Sequence, residues 1–508
     1  TGTLAERPAA EAATPPTPAT PAAAAVQSRI KALAPGATDE DRGERAAIEA
    51  FYEPRNFEPL WVGEAGPTPA ARAAIEEIQR ADEWGLRARD LATPGLKALL
   101  TATNLAPDAA ATGELEIAQA ILKYGRYARG GRIIHPAEQL SSYLDRRPQL
   151  LKPEAILQGI VAAPDAGAYL RGLHPQHPQF ERLRQKYLAH MKKGSGENLE
   201  ARKILVNMEQ WRWMPADLGS VYIWNNIPEF LQRVVKGNEV LRTERIVVGE
   251  LGKQTPVFTR PLRRIVFKPT WIVPDSIKVN ELWPSLLRGG GLMRKWALEV
   301  QTKDGKSVNW RTMDWTKTDI REYDVIQPNG PQSVMGKFKF SFPNQHTVFM
   351  HDTLPRDKYM FNVAQRTYSH GCIRVRNPMQ LAELVLQAEK GWDVDKVARE
   401  MNDGPLNNTI ELDRRVFVHI TYFTALVTDD GKLETFRDVY GHEKRIALAL
   451  DGKWNEIRKG RDHLAPVQLD LTSADRVRGS EDGSVETPNG KKGKKGAIED
   501  LFSTLFGG

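Results

Sequence analysis

The apolar residues of this 508-residue chain change their period near residue 204. Before that point they recur at i, i+3 and i+4, as in Glu44–Tyr52, Ala70–Gln79, Leu115–Tyr124 and Gln179–Leu188. Breaks fall at Pro67, at Pro94-Gly95 and at Pro148. That spacing lays an apolar stripe along a helix. Beyond residue 204, β-branched and aromatic runs between turn residues take over. Examples are Ser220–Pro228, the pair Phe230–Val235 and Glu239–Val248 around Lys236-Gly237-Asn238, Ile265–Phe267, Phe338–Phe340, Thr347–Met350 and Val416–Phe423. These read as strands and hairpins. A chain of this length is too long for one ordinary core, so a multidomain α+β protein is expected.

Four segments follow. Residues 1–27, rich in Ala and Pro, bury too little to fold and are expected to be a disordered tether. Residues 28–203 are expected to form a helical domain. Residues 204–450 are expected to form a mainly β domain, interrupted over 277–337. Residues 451–508 lose periodicity and are expected to be a basic, largely disordered tail. The net charge of +7 suits an anionic neighbourhood such as a cell wall or membrane surface. No interleaving of basic and aromatic residues and no zinc-ligand spacing points to nucleic acid. No apolar run approaches the eighteen or so residues of a membrane span. The start at Thr1-Gly2-Thr3 leads us to expect a mature chain from which an export signal or membrane anchor was removed.

Cys372 is the only cysteine, so no intramolecular disulfide forms, and a lone thiol in an exported protein suggests reactivity. It closes the turn Ser369-His370-Gly371-Cys372, with His351 upstream at the end of a strand. A thiol becomes a nucleophile when a nearby imidazole takes its proton. The expected roles are Cys372 as nucleophile and His351 as base, with His370 beside them shaping the turn and lining the groove. Gly371 would allow the tight turn, and the N–H groups of Gly371 and Cys372 would hold an oxyanion. Either Asp352 or a backbone carbonyl would orient His351. Arg374 offers a fork for carboxylates, with Ser369, Tyr368 and Arg376 as further candidates for substrate positioning. His419 is expected to be a hydrogen-bonded histidine of the core or of the groove lining.

The S-H-G-C turn, preceded by a histidine with seventeen residues between it and the serine, resembles the signature of the L,D-transpeptidases with their YkuD-type catalytic domain. Phe57–Trp61, Asn207–Trp213, Val247–Gly249 with Thr255–Phe258, and Trp271–Ile277 are similar to the larger Gram-negative, YcbB-like branch. The resemblance spans roughly residues 45–450. It implies a helical scaffold domain before the catalytic domain and a capping subdomain at 277–337. The linker at 191–200 is too short to hold the small peptidoglycan-binding module common in that branch. The implied reaction needs no cofactor and no metal. Cys372 would attack the carbonyl at the L-centre of meso-diaminopimelate in a tetrapeptide stem and expel D-alanine. A second stem would then take the acyl group in a 3→3 cross-link. Peptidoglycan stems, as donor and acceptor, would be the partners, and carbapenem-type β-lactams would be covalent inhibitors. The setting would be the periplasm of a Gram-negative bacterium, with the chain tethered to the inner membrane. Alternatives are attachment of an outer-membrane protein to peptidoglycan, L,D-carboxypeptidase activity, and a non-catalytic cell-wall scaffold.

Overall fold

The computed structural model describes residues 18–192, 198–413 and 416–479. They form two compact units. One holds the residues up to Ile134 with Pro148–Ala216 and Val427–Lys432. The other holds His135–Arg147, Asp217–Leu426 and the residues from Leu433 onward.

The first unit is helical, and its helices begin where a threonine meets a proline. Thr20, Thr68 and Thr93 precede the helices Pro21–Ala32, Pro69–Gln79 and Pro94–Leu99, and each accepts a hydrogen bond from the third backbone N–H. Proline loses nothing at the first position, because that N–H has no partner within the helix. Thr38 and Asp41 form a reciprocal capping box on Asp39–Tyr52. The long helix Pro107–Gly130 is buried over much of its surface. A Cβ at Gly113 would stand 2.7 Å from Leu99, and one at Gly125 would stand 2.8 Å from Ile156. The absent side chains let neighbouring helices approach closely.

Glu114, on that long helix, is fully buried. It accepts the Tyr52 hydroxyl at 2.6 Å and the backbone N–H groups of Leu60, Trp61 and Val62 at 2.7–2.8 Å. Burial pushes its pKa up, and the four donors pull the other way. The Phe57–Trp61 stretch is therefore folded around one carboxylate. Glu209 does a similar job for the loop after the long helix, accepting from the Arg132 and Ile133 N–H groups at 2.5 and 2.9 Å.

Three segment boundaries differ from expectation. Residues 21–27, placed in the disordered tether, are helical because Thr20 caps them; residues 1–17 lie outside the described residues. The strands of the second unit begin at Val221 rather than near 204. Asn198 caps a helix, Leu199–Arg212, whose buried residues belong to the helical unit. The residues from 451 to 479 are not a loose tail, since Val467, Leu469, Leu471, Ala474 and Val477 pack on an apolar core of the second unit. The basic run at 491–495 and the apolar stretch at 497–506 lie outside the described residues.

The second unit carries an eleven-stranded sheet. Its strands are β1 Val221–Asn226, β2 Leu231–Lys236, β3 Glu239–Gly249, β4 Thr259–Pro261, β5 Arg264–Phe267, β6 Phe338–Ser341, β7 Met350–His351, β8 Thr367–Ser369, β9 Ile373–Val375, β10 Asn408–Glu411 and β11 Phe417–Thr421. The order is β10-β5-β6-β7-β9-β3-β2-β1-β11-β4, with β8 also paired to β3. Gly237-Asn238 makes the hairpin between β2 and β3, with Lys236 opposite Glu239. His419 sits in β11, hydrogen-bonded to Thr259 and to the Leu218 carbonyl, both at 2.9 Å.

Between β5 and β6 lies a subdomain with a four-stranded sheet of its own, formed by Trp271–Ile272, Glu299–Gln301, Ser307–Val308 and Asp324–Gln327. Its core includes Trp271, Trp283, Trp296, Trp310 and Trp315. It thus takes in Trp271 and Val273, ahead of the expected start at 277. Its first helical run passes from Asp275–Ile277 through a π-helical turn, Lys278–Leu282, into Trp283–Leu287. Pro284 has no N–H to close an ordinary turn, which favours the wider one.

Replacing Glu114 with Ala leaves three buried backbone N–H groups and a phenol without their acceptor. A loss of about 3–5 kcal/mol is expected, read as a lower urea midpoint for the helical unit. Glu114→Gln, which keeps one acceptor oxygen, is expected to lose less.

Candidate active site

The short strands β7 and β9 run parallel, with Met350 opposite Ile373 and His351 opposite Arg374. On the other side of β7, Lys339 of β6 is opposite His351. Paired residues point to the same face of a sheet, and successive residues alternate. Lys339, His351 and Arg374 therefore form a row across three strands, while Met350 and Ile373 fill the core behind it and are fully buried. Cys372 lies two residues before Arg374, on the same face. The ladder is still present there, because the Ile373 N–H donates to the Phe349 carbonyl at 3.1 Å. Phe349 packs edge-on to His351, with ring centroids 5.7 Å apart, and the Lys339 ammonium lies 4.5 Å from the Phe349 ring centre.

The turn before Cys372 is held from within. Gly371 has φ +105°, a conformation that favours glycine. Its N–H donates to Ser369 Oγ at 3.2 Å, and its carbonyl accepts the Thr255 hydroxyl at 2.8 Å. The Ser369 hydroxyl donates to the Cys372 carbonyl. The Gly371 N–H is thus taken up by the turn and is not the oxyanion donor expected from the sequence. Ser369 likewise shapes the turn with its hydroxyl, although it also borders the cavity.

Other expected roles are redistributed too. The Asp352 carboxylate accepts the N–H groups of Lys337 and Thr353 at 2.9 and 2.7 Å, so it shapes its own loop rather than orienting His351. A Cβ at Gly336 would fall 2.5 Å from that carboxylate. Tyr368 packs with Val247, Met360 and Phe361. It sits at an irregularity in the pairing of β8 with β3 and does not line the cavity. Arg376 also lies outside that lining. His370 donates from Nε2 to Glu281 Oε1 at 3.0 Å, and Lys253 Nζ binds the same oxygen at 2.8 Å. Glu281 sits in the π-helical turn, so the inserted subdomain grips the nucleophile loop through His370. Sequence reasoning missed Glu281, and only the unusual Pro284 next to it hints at an irregular turn.

The cavity over Cys372 has a volume of about 520 Å³. His351, His370, Gly371, Cys372, Arg374 and Trp271 line it, and so do residues after 444 that the sequence reading had left out of the site. Its lining holds five Lys or Arg residues (Lys253, Arg374, Arg445, Lys459 and Arg461) and no Asp or Glu. One wall is fastened by a hydrogen-bond chain. Asp145 Oδ2 meets His346 Nε2 at 3.0 Å, His346 Nδ1 meets His463 Nε2 at 2.8 Å, and His463 Nδ1 meets Ser142 Oγ at 2.8 Å. Burial holds His463 down at about 4, which keeps it neutral near pH 7.

Burial also sets the state of the reacting pair. It pushes the Cys372 thiol up to about 11, against smaller opposing effects of the Phe349 N–H, Lys339 and Arg374. It holds His351 down at about 3, helped by the Arg374 and Lys339 cations and opposed by backbone contacts of Asp352 and Val334. At rest the Cys372 thiol and the His351 imidazole are therefore both neutral.

Alkylation of Cys372 by a small neutral reagent is expected to be slow at pH 7. It should quicken by about tenfold per pH unit through pH 9–10, because only the thiolate reacts. Quenched-reaction mass spectrometry gives the profile. A rate already level at pH 7 would mean a thiolate-imidazolium pair instead.

Residues 220–398 match the L,D-transpeptidase catalytic domain family (YkuD), and residues 46–186 match the Scaffold domain family. A Haemophilus influenzae protein named "Putative L,D-transpeptidase" is 26% identical over 271 residues, covering 52% of this chain and 53% of that protein. The chain thus spans about half the length of this curated relative. Among solved structures, an L,D-transpeptidase from Mycobacterium smegmatis shares 12% identity, over 40% of this chain and 58% of that one, with a TM-score of 0.18. The L,D-transpeptidase 1 of Mycobacterium tuberculosis shares 11%, over 40% and 61%, with a TM-score of 0.17. Overlays this loose carry no argument about geometry. The family matches rest on sequence instead: this chain carries a YkuD L,D-transpeptidase catalytic domain, within which His351 and Cys372 both fall, and a Scaffold domain.

Proposed function

We propose that this protein is a peptidoglycan L,D-transpeptidase that forms 3→3 cross-links through a thioester on Cys372. One observation carries the reading. The lone thiol shares a sheet face with His351, on the floor of a cavity whose charged lining is entirely cationic. A stem tetrapeptide is rich in carboxylates, and such a lining suits it.

The steps in this reading are as follows. Cys372 Sγ attacks the carbonyl at the L-centre of diaminopimelate while His351 takes the thiol proton. The tetrahedral oxyanion is held by the Cys372 N–H, the Gly371 N–H being engaged with Ser369. His351 returns its proton to the departing D-alanine nitrogen, leaving the thioester. The side-chain amine of a second stem then attacks the thioester, and the thiol is regenerated. A bound carboxylate near Arg374 and Lys339 would offset the cations that depress His351. The base would then strengthen when substrate arrives. The subdomain that grips His370 through Glu281 covers this site and would keep water from the thioester. The same attack on a strained lactam carbonyl would acylate Cys372 with a carbapenem. We further propose that it works in the periplasm of a Gram-negative bacterium, where such stems would be met.

The test is mass spectrometry of the protein incubated with disaccharide-tetrapeptide. A dimer lacking one D-alanine is expected, absent with Cys372→Ala and slowed by about 10²–10⁴-fold with His351→Asn. Tripeptide alone would replace the transpeptidase reading with a carboxypeptidase. No product and no acyl-enzyme would remove it altogether.

A further inference from the structure

The segment at 459–467 borders the cavity and is anchored on three sides. Upstream, Arg445 Nε donates to the Arg458 carbonyl at 2.9 Å. In the middle, His463 closes the chain to His346 and Ser142 and stacks on Tyr143, with ring centroids 3.8 Å apart. Downstream, the Val467 carbonyl accepts from Arg321 at 3.0 Å, and the following residues enter the core of the inserted subdomain. This anchoring sets Lys459 and Arg461 against the cavity. The cavity's other cations are partly answered. Lys253 is paired with Glu281 at 2.8 Å, and Arg374 feels the charge of Asp357. Among the described residues, Lys459, Arg461 and Arg445 have no carboxylate at ion-pair distance.

Cations held against a cavity without counter-charges are a standing attraction for a carboxylate ligand. We propose that the 459–467 segment is a substrate-binding wall, and that Arg461 and Lys459 recognise a stem-peptide carboxylate remote from the scissile bond, separate from any group at Arg374. This rests on the reading of the cavity as a stem-peptide site. It adds a second recognition point, from a part of the chain outside the residues matched as the catalytic domain. A donor stem then has two fixed points, one at the reacting centre and one at the segment, which aligns the carbonyl with the thiol.

The experiment is calorimetric binding to full-length Cys372→Ala, which cannot form a thioester. The probes are the free tetrapeptide stem and two analogues, one amidated at the carboxylate of the second residue and the other at the D-centre carboxylate of diaminopimelate. Adding Arg461→Gln and Lys459→Gln, both on exposed side chains, is expected to weaken tetrapeptide binding by about tenfold. One analogue should bind about tenfold more weakly than the tetrapeptide to the parent, yet match it on the substituted protein. Equal tetrapeptide affinity with and without the two substitutions would overturn the proposal. So would an amidation penalty of the same size in both proteins, or no binding to the parent. Segment-dependent binding alongside a wild-type protein that makes no cross-link would leave this inference standing and remove the transpeptidase reading.

Discussion

The parallel pairing of two very short strands governs the site. Met350–His351 and Ile373–Val375 are two and three residues long, and their register decides what faces the cavity. A slip of one residue would turn His351 and Arg374 into the core and bring Met350 and Ile373 out. The longer neighbours prevent this. β6 pins one side through Lys339 and Phe340, and β3 pins the other through Val247 and Ile246. The apolar face behind, fully buried at Met350 and Ile373, resists any slip because it has no room for an imidazole or a guanidinium.

Electrostatics explain how a cysteine can be both protected and usable here. The cationic row of Lys339 and Arg374 favours a thiolate, but burial works harder in the opposite direction, and the resting pair stays neutral. A neutral thiol at rest reacts slowly with stray electrophiles. An anion bound near Arg374 and Lys339 would compensate the cations that hold His351 down. The state of the His351 ring is thus tied to the charge in its surroundings through one small group of side chains.

The two units use buried carboxylates in the same way, as acceptors around which irregular chain is wound. Glu114 gathers three N–H groups and a phenol, Glu209 gathers two N–H groups, and Glu281 gathers His370 and Lys253. In each case the alternative is buried donors without acceptors, which costs more than burying the carboxylate among its partners. At Glu281 the device also connects the inserted subdomain to the turn that bears Cys372.

By itself the sequence determined the elements with strong periodicity and singled out the candidate reacting groups. Pro and Thr at helix starts, Gly237-Asn238 at the hairpin, and His351 with Ser369-His370-Gly371-Cys372 all act locally, so they are legible in order along the chain. What needed the tertiary structure were the partners that long-range packing chose. Packing on Val247, Met360 and Phe361 took Tyr368 away from the cavity. The inward turn of Ser369 consumed the Gly371 N–H, and Asp352 was drawn to its own loop. Glu281 reached His370 across 89 residues of sequence. The 459–467 segment shows no periodicity because it neither forms a helix nor joins a sheet. Its order comes from His463 and from apolar residues docking on a core made elsewhere in the chain, and contacts of that kind leave no repeating pattern to read.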